Sequence, residues 1–242
     1  MQAIVGLGGS AGSIGALKTF FTHMPGDSGF AFVVVLHLSA ACESHLAGVL
    51  QKRTPMPVIQ VSDPIKVEAN CVYVIPPGKH LLAAKGQLVL NELSQEYGKR
   101  TAVDIFFRSL ADTHGGRSIA IVLSGVDGDG AIGIKRIKEK GGITVAQEPR
   151  EAQYKGMPRS AIDTGMVDWV LPVAEMPRRL LEYQRTQERV RLPKERRSVL
   201  SRADEMDDEK ALRAIIPLLR ARTSHDFSCY NRVCAESGAA CG

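Results

Sequence analysis

Aromatic residues are scarce in this 242-residue chain, at 5%. No basic stripe is interleaved with them, so the stacking-and-phosphate signature of a nucleic-acid binder is missing. Long apolar runs are missing too: the longest, Gly29 to Leu36, falls far short of the ~20 residues of a membrane helix. No basic stretch or cleavage site precedes Ala3-Ile4-Val5-Gly6, so the start does not read as a secretion signal. The five cysteines (Cys42, Cys71, Cys229, Cys234 and Cys241) are odd in number and form no CxxC pair. That argues against a disulfide framework or a zinc site and for reduced thiols. The expectation is a cytoplasmic protein with no membrane insertion and no nucleic-acid partner.

What is present is globular. The chain is 44% apolar and 24% charged, which fits one large domain, or one domain with an appendage. Residues 1–175 carry 17 Lys/Arg against 16 Asp/Glu, while residues 176–242 carry 14 against 10, so most of the net charge of +5 sits in the tail. Before that tail, short β-branched runs alternate with amphipathic stretches. Strands are expected at Ala3–Leu7, Phe30–Leu36, Val58–Val61, Cys71–Ile75, Ser118–Leu123, Ile143–Ala146 and Trp169–Leu171, and a hairpin over Leu81–Ala84 and Gln87–Leu90 turns at Lys85-Gly86. Helices are expected at Ile14–Met24, Glu43–Gln51, Asp104–His114, Ala131–Lys140 and Met157–Asp163. This alternation predicts an α/β fold, a doubly wound and mostly parallel sheet flanked by helices, with ligands bound beyond the carboxyl ends of the strands.

The first glycine-rich turn, Gly6-Leu7-Gly8-Gly9-Ser10-Ala11-Gly12, matches two templates. As Gly6-x-Gly8-x-x-Ala11 it fits a dinucleotide fingerprint, and as Gly8-x-Ser10-x-Gly12 it fits a nucleophile elbow. Neither is specific alone, because a tight strand-to-helix turn needs glycines anyway. The end of the second strand separates them. A dinucleotide site wants an acidic residue there, and this chain has Leu36-His37-Leu38-Ser39. A histidine at a strand's carboxyl end, beside a strand that ends on a serine, is what a general base requires. The carboxylate that would fix the imidazole lies in Ser124-Gly125-Val126-Asp127-Gly128-Asp129-Gly130, after another apolar strand. One of its two aspartates is expected to serve the turn or the helix cap, and a metal site is the weaker reading, since no third oxygen ligand or histidine accompanies them.

These residues, taken with others, resemble the catalytic domain of the CheB-type chemotaxis receptor methylesterases over about residues 2–182. The resemblance rests on Gly8-Gly9-Ser10-Ala11-Gly12, His37, Val72-Tyr73-Val74-Ile75-Pro76-Pro77-Gly78, Val103 to Ala111, Leu123-Ser124-Gly125 through Asp129-Gly130-Ala131, and Gly156-Met157-Pro158-Arg159-Ser160-Ala161. It implies nucleophile Ser10, base His37 and acid Asp129, with the Val126 backbone amide as an oxyanion donor. The Ala11 amide joins it on geometric grounds. It also implies hydrolysis of glutamate γ-methyl esters on chemoreceptor helices, with deamidation of glutamine as a second activity and neither cofactor nor metal. A methyltransferase or a response regulator is the further partner implied.

Three positions depart from the family's pattern. Ser13 replaces a second glycine, Val126 replaces Met or Thr, and Asp127 adds a second acid, which leaves open which carboxylate pairs with His37. The family's receiver domain is expected to be absent, since the chain opens on the catalytic strand. Residues 183–202 read as a linker, and residues 203–242, through Ala211-Leu212-Arg213 to Phe227-Ser228, resemble a truncated start of a CheR-type methyltransferase. Two other classes remain alongside the esterase: a catalytically silent receptor-interaction module and a dinucleotide-binding oxidoreductase.

Overall fold

In the computed structural model, residues 2–37, 44–92 and 101–190 are described. The chain divides into two units, Met1–Thr186 and Gln187–Gly242, and the described residues fall almost wholly in the first. The tail resembling a methyltransferase start lies outside them.

Seven strands form one sheet in the order β10-β9-β8-β1-β2-β5-β3, and every pairing in it is parallel. They are β1 (Ile4–Gly9), β2 (Ala31–Leu36), β3 (Val58–Gln60), β5 (Val72–Val74), β8 (Ser118–Val122), β9 (Ile143–Gln147) and β10 (Trp169–Leu171). The central strands are buried along their whole length, as their unbroken apolar runs require when helices cover both faces. On one face, α1 (Ser13–His23), α2 (Leu46–Gln51) and α6 (Met176–Val190) bury Leu17, Phe20, Phe21, Leu50 and Leu180 against Leu7, Phe32 and Ile121. On the other, α3 (Ala102–His114), α4 (Ala131–Glu139) and α5 (Gly156–Ile162) bury Phe106, Phe107, Ile134 and Met157 against Val33, Val35 and Val122.

A small antiparallel sheet, β4 (Ile65–Lys66), β7 (Gln87–Glu92) and β6 (Lys79–Ala84), is built from segments on either side of β5 in sequence and packs on α3 through β6. Its hairpin turns at Lys85-Gly86, both at positive φ (47° and 80°), the type I′ geometry that two-residue hairpins prefer. The two-residue strand β4 was not expected from the sequence, since nothing local marks it. It exists because Ile65 and Lys66 pair with Leu88 and Gln87. At the other end, α6 continues to Val190, into the stretch read as linker, and its apolar side is anchored by the Trp169–Tyr183 ring contact and by Arg179 stacked over Trp169.

β1 ends two residues later than the sequence reading placed it. Gly8 and Gly9 look like turn residues, yet they pair with Val35 and Leu36 of β2. Glycine is needed at position 8 because α3 lies close against the strand: a Cβ there would sit 2.2 Å from Val103 Cγ1 and 3.1 Å from Phe107 Cζ. The consequence is positional. Gly9 pairs with Leu36, so Ser10 and His37 are the next residues of two adjacent parallel strands, which run about 4.8 Å apart. The order of the sheet reverses direction at β1, with β2 on one side and β8 on the other, so the rim there is the switch-point crevice where α/β sheets bind ligands.

Candidate active site

After β1 the chain makes one tight turn and enters α1. The Ser10 amide donates to Ser124 O (2.9 Å), which holds the end of β1 to the loop following β8. Ser124 Oγ donates to Ala11 O (2.9 Å) and accepts the Tyr154 amide (3.0 Å), and Gln147 Oε1 accepts the Ser124 amide (2.8 Å). Sequence reasoning gave Ser124 no role. The only signal was its place in the Leu123-Ser124-Gly125 motif. Gly12 takes the left-handed conformation (φ 76°), and a Cβ on it would lie 2.8 Å from both Gln153 Cβ and Ser124 Oγ, so the turn tolerates no side chain. Ser13 is fully buried, and its Oγ donates to the Ser10 carbonyl (2.5 Å). The departure at position 13 therefore pins the turn.

Ser10 and His37 line one cavity of about 350 Å³, together with Ala11, Gly12, Ile14 and Gln153. Gln153 also escaped the sequence reading, since only the β9–α5 loop's return to the β1–α1 turn brings it there. Among the described residues no hydrogen bond engages Ser10 Oγ, so the hydroxyl and the imidazole share a cavity without being joined. Such contacts commonly tighten only when substrate is bound.

The carboxylate is placed more firmly. Asp129 is 4% exposed, and its Oδ2 lies 2.7 Å from His37 Nε2. The same carboxylate accepts the Val103 amide at Oδ2 and the Asp104 amide at Oδ1, each at 2.9 Å. These belong to the first turn of α3, whose unpaired N–H groups and positive dipole end favour an anion. Asp129 immediately precedes Gly130, the N-cap of α4, yet its carboxylate caps α3. In return, Asp104 of α3 accepts the Gly133 amide of α4 (2.7 Å) at its Oδ1. This exchange buries two carboxyls side by side. Burial, aided by the charge of Asp129, raises Asp104 to about 6 against the pull of the Gly133 amide.

Asp127, the second candidate carboxylate, is only partly covered. Its Oδ1 accepts the Asp129 amide (3.2 Å), and its Oδ2 lies 3.6 Å from His37 Nδ1. The two ring nitrogens thus face two different aspartates, Asp129 in hydrogen-bonding contact and Asp127 farther off. Neither caps α4 with its side chain, whose N-cap is Gly130. Val126 is 63% exposed at the crest of the loop. Among the described residues neither its amide nor that of Ala11 has a protein acceptor. A further titratable group, His80 on β6, is buried, and among the described residues neither of its ring nitrogens has a hydrogen-bond partner. Its pKa is lowered by burial and by the charge of His37, against the opposing pull of Asp129. Among the described residues no group of three or more His, Cys, Asp or Glu side chains is placed to hold a metal ion. No helix among them is long and apolar enough to cross a membrane.

Fold and rim place the chain among α/β proteins that bind ligands at the carboxyl ends of a parallel sheet, and a serine, an imidazole and a buried carboxylate lie at that rim here. More particularly, it belongs to the CheB methylesterase family, whose model matches residues 5–180. It is 33% identical over 176 residues to a putative protein-glutamate methylesterase/protein-glutamine glutaminase of Leptospira interrogans, covering 72% of this chain and 91% of that one. It is 35% identical over 177 residues to the protein-glutamate methylesterase/protein-glutamine glutaminase of Geobacillus kaustophilus, of which the match covers 51%. The crystal structure of the Thermotoga maritima CheB methylesterase catalytic domain superposes with a TM-score of 0.70 at 27% identity, over 76% of this chain and 99% of that one.

Proposed function

We propose that residues 1–182 form a cytoplasmic serine hydrolase that removes γ-methyl esters from glutamates of chemoreceptor helices and deamidates receptor glutamines. The observation that carries this reading is the 2.7 Å contact between His37 and a fully buried Asp129 side chain at the rim of the cavity shared with Ser10. A carboxylate anchored by two helix amides cannot swing away, so it fixes the ring and its tautomer. Because Nε2–H donates to Asp129, Nδ1 is the basic nitrogen.

In this mechanism Ser10 Oγ attacks the ester carbonyl while His37 Nδ1 takes the hydroxyl proton. The amides of Ala11 and Val126 receive the oxyanion. As the tetrahedral adduct collapses, His37 returns the proton to the departing methoxide, and methanol leaves an acyl-enzyme. Water then attacks the acyl carbon, again with His37 as base, releasing glutamate and free Ser10. With glutamine the leaving group is ammonia. Family membership supports both reactions, and the names of the Leptospira and Geobacillus relatives carry both.

The test is methanol release from methylated receptor by the intact chain and by Ser10→Ala. The variant is expected to lose at least ~10³-fold of the rate while folding normally. If Ser10→Ala retains the wild-type rate, the nucleophile assignment fails. If the wild type releases no methanol, the silent interaction module is the better reading.

A further inference from the structure

We propose that Asp127 is a positioning residue that holds the protonated His37 ring from the Nδ1 side, so that the base of the reaction works between two carboxylates. The inference rests on the hydrolase reading and adds to it a residue outside the Ser10, His37 and Asp129 set.

The geometry is built by one turn. Asp127 Oδ1 accepts the Asp129 amide at 3.2 Å, which closes the loop and aims its other oxygen at the ring. Oδ2 then lies 3.6 Å from His37 Nδ1, while Asp129 Oδ2 lies 2.7 Å from Nε2. Both partners of the longer contact are mostly shielded, with side-chain exposures of 14% for His37 and 23% for Asp127.

The chemistry follows from which nitrogen is occupied. Nε2 donates to Asp129, so the neutral ring turns a lone pair at Nδ1 toward the Asp127 carboxylate, an unfavourable meeting. Once Nδ1 takes the proton from Ser10, the meeting becomes an ion pair. Asp127 therefore favours the imidazolium over the neutral base, both in the free enzyme and in the transition state, where that charge develops. Among the described residues, the other titratable groups near the ring do not substitute for it. Asp129 is committed to Nε2 and two helix amides. His80 on β6 has its pKa lowered by burial, and the Asp104 carboxyl accepts the Gly133 amide of α4.

The experiment is an NMR titration of the His37 ring in the full-length chain, labelled with ¹⁵N-histidine, in wild type, Asp127→Asn and Asp127→Ser. The His37 signal is assigned by its loss in His37→Gln. Asn and Ser both keep an oxygen able to accept the Asp129 amide, so the turn survives and only the charge is removed. The His37 pKa is expected to fall by ~0.5–1 pH unit in both variants, the size fitting a partly exposed pair. The acidic limb of fluorophosphonate labelling at Ser10 moves to lower pH by the same amount. Coincident titrations in the three proteins, or a rise in either variant, overturn the proposal, because a purely structural Asp127 leaves the ring's pKa in place. The two readings fail separately. Absence of Ser10 labelling in the wild type defeats the hydrolase assignment, whereas Ser10 labelling with an unmoved limb in both variants defeats the role of Asp127 alone.

Discussion

Each end of the parallel sheet carries a cavity, and the two are built on opposite principles. At the amino end, about 630 Å³ lies between Gln2, Lys66, Lys85 and His114. At the carboxyl end, the smaller cavity of about 350 Å³ holds Ser10 and His37. The larger one is where α3 finishes, at His114, so a helix presents spent carbonyls there and the lining lysines are exposed. The smaller one is lined by the start of α1, and the His37 ring on its wall contacts Asp129, whose carboxylate accepts two amides from the first turn of α3. Volume follows loop architecture. Chemistry follows the direction of the strands and helices.

The largest effect expected from this contrast belongs to Asp129→Ala. It orphans the Val103 and Asp104 amides and deprives His37 of its anchor, so activity should fall ~10³–10⁴-fold. Stability should fall with it by about 3 kcal/mol, measured by denaturant unfolding. A variant that keeps its rate would show that the carboxyl-end network is ordinary packing.

Asp104→Asn sharpens the comparison through pH. The carboxyl is raised to about 6, above its ordinary value of 3.8, so its protonated form is the one the fold favours. The stability it contributes is complete below about pH 4 and is lost as pH rises through about 6. Asparagine retains an acceptor for Gly133 and does not titrate. Thermal unfolding should therefore show wild type losing ~2 kcal/mol relative to Asp104→Asn between pH 4 and 7, with the curves parallel above that. Curves parallel throughout would mean that Asp104 is charged in the fold. Smallest of all, Lys66→Ala and Lys85→Ala at the amino-end cavity should leave both stability (within ~0.5 kcal/mol) and ester hydrolysis unchanged. A loss on the scale of Asp129→Ala would invert the contrast.

Much of this was legible in the sequence for reasons that can be named. β2 is apolar from Ala31 to Leu36 because it is covered on both faces, and that pattern has few other meanings. His37 stood out because an acidic residue is what the competing dinucleotide reading demands at that place. Other features depend on neighbours far apart in the chain. Gly8 is a strand residue only because Val103 and Phe107 arrive against it. Asp104, seen alone, begins a helix, and its exchange of caps with Asp129 exists only once α3 and α4 lie side by side. Asp127 and Asp129 could not be ranked from spacing, since two residues apart in a glycine-rich loop either might reach the imidazole. Burial separates them: the Asp129 side chain is wholly covered at the first turn of α3, and Asp127 keeps 23% of its side chain exposed.

The most direct measurement is the site of covalent trapping. Intact protein treated with a fluorophosphonate and digested for mass spectrometry should carry the adduct on Ser10, with labelling slowed by at least ~10²-fold in His37→Ala. Labelling spread over several serines at a rate indifferent to His37 would contradict the account, because the hydroxyl at the end of β1 would then be no more nucleophilic than any other.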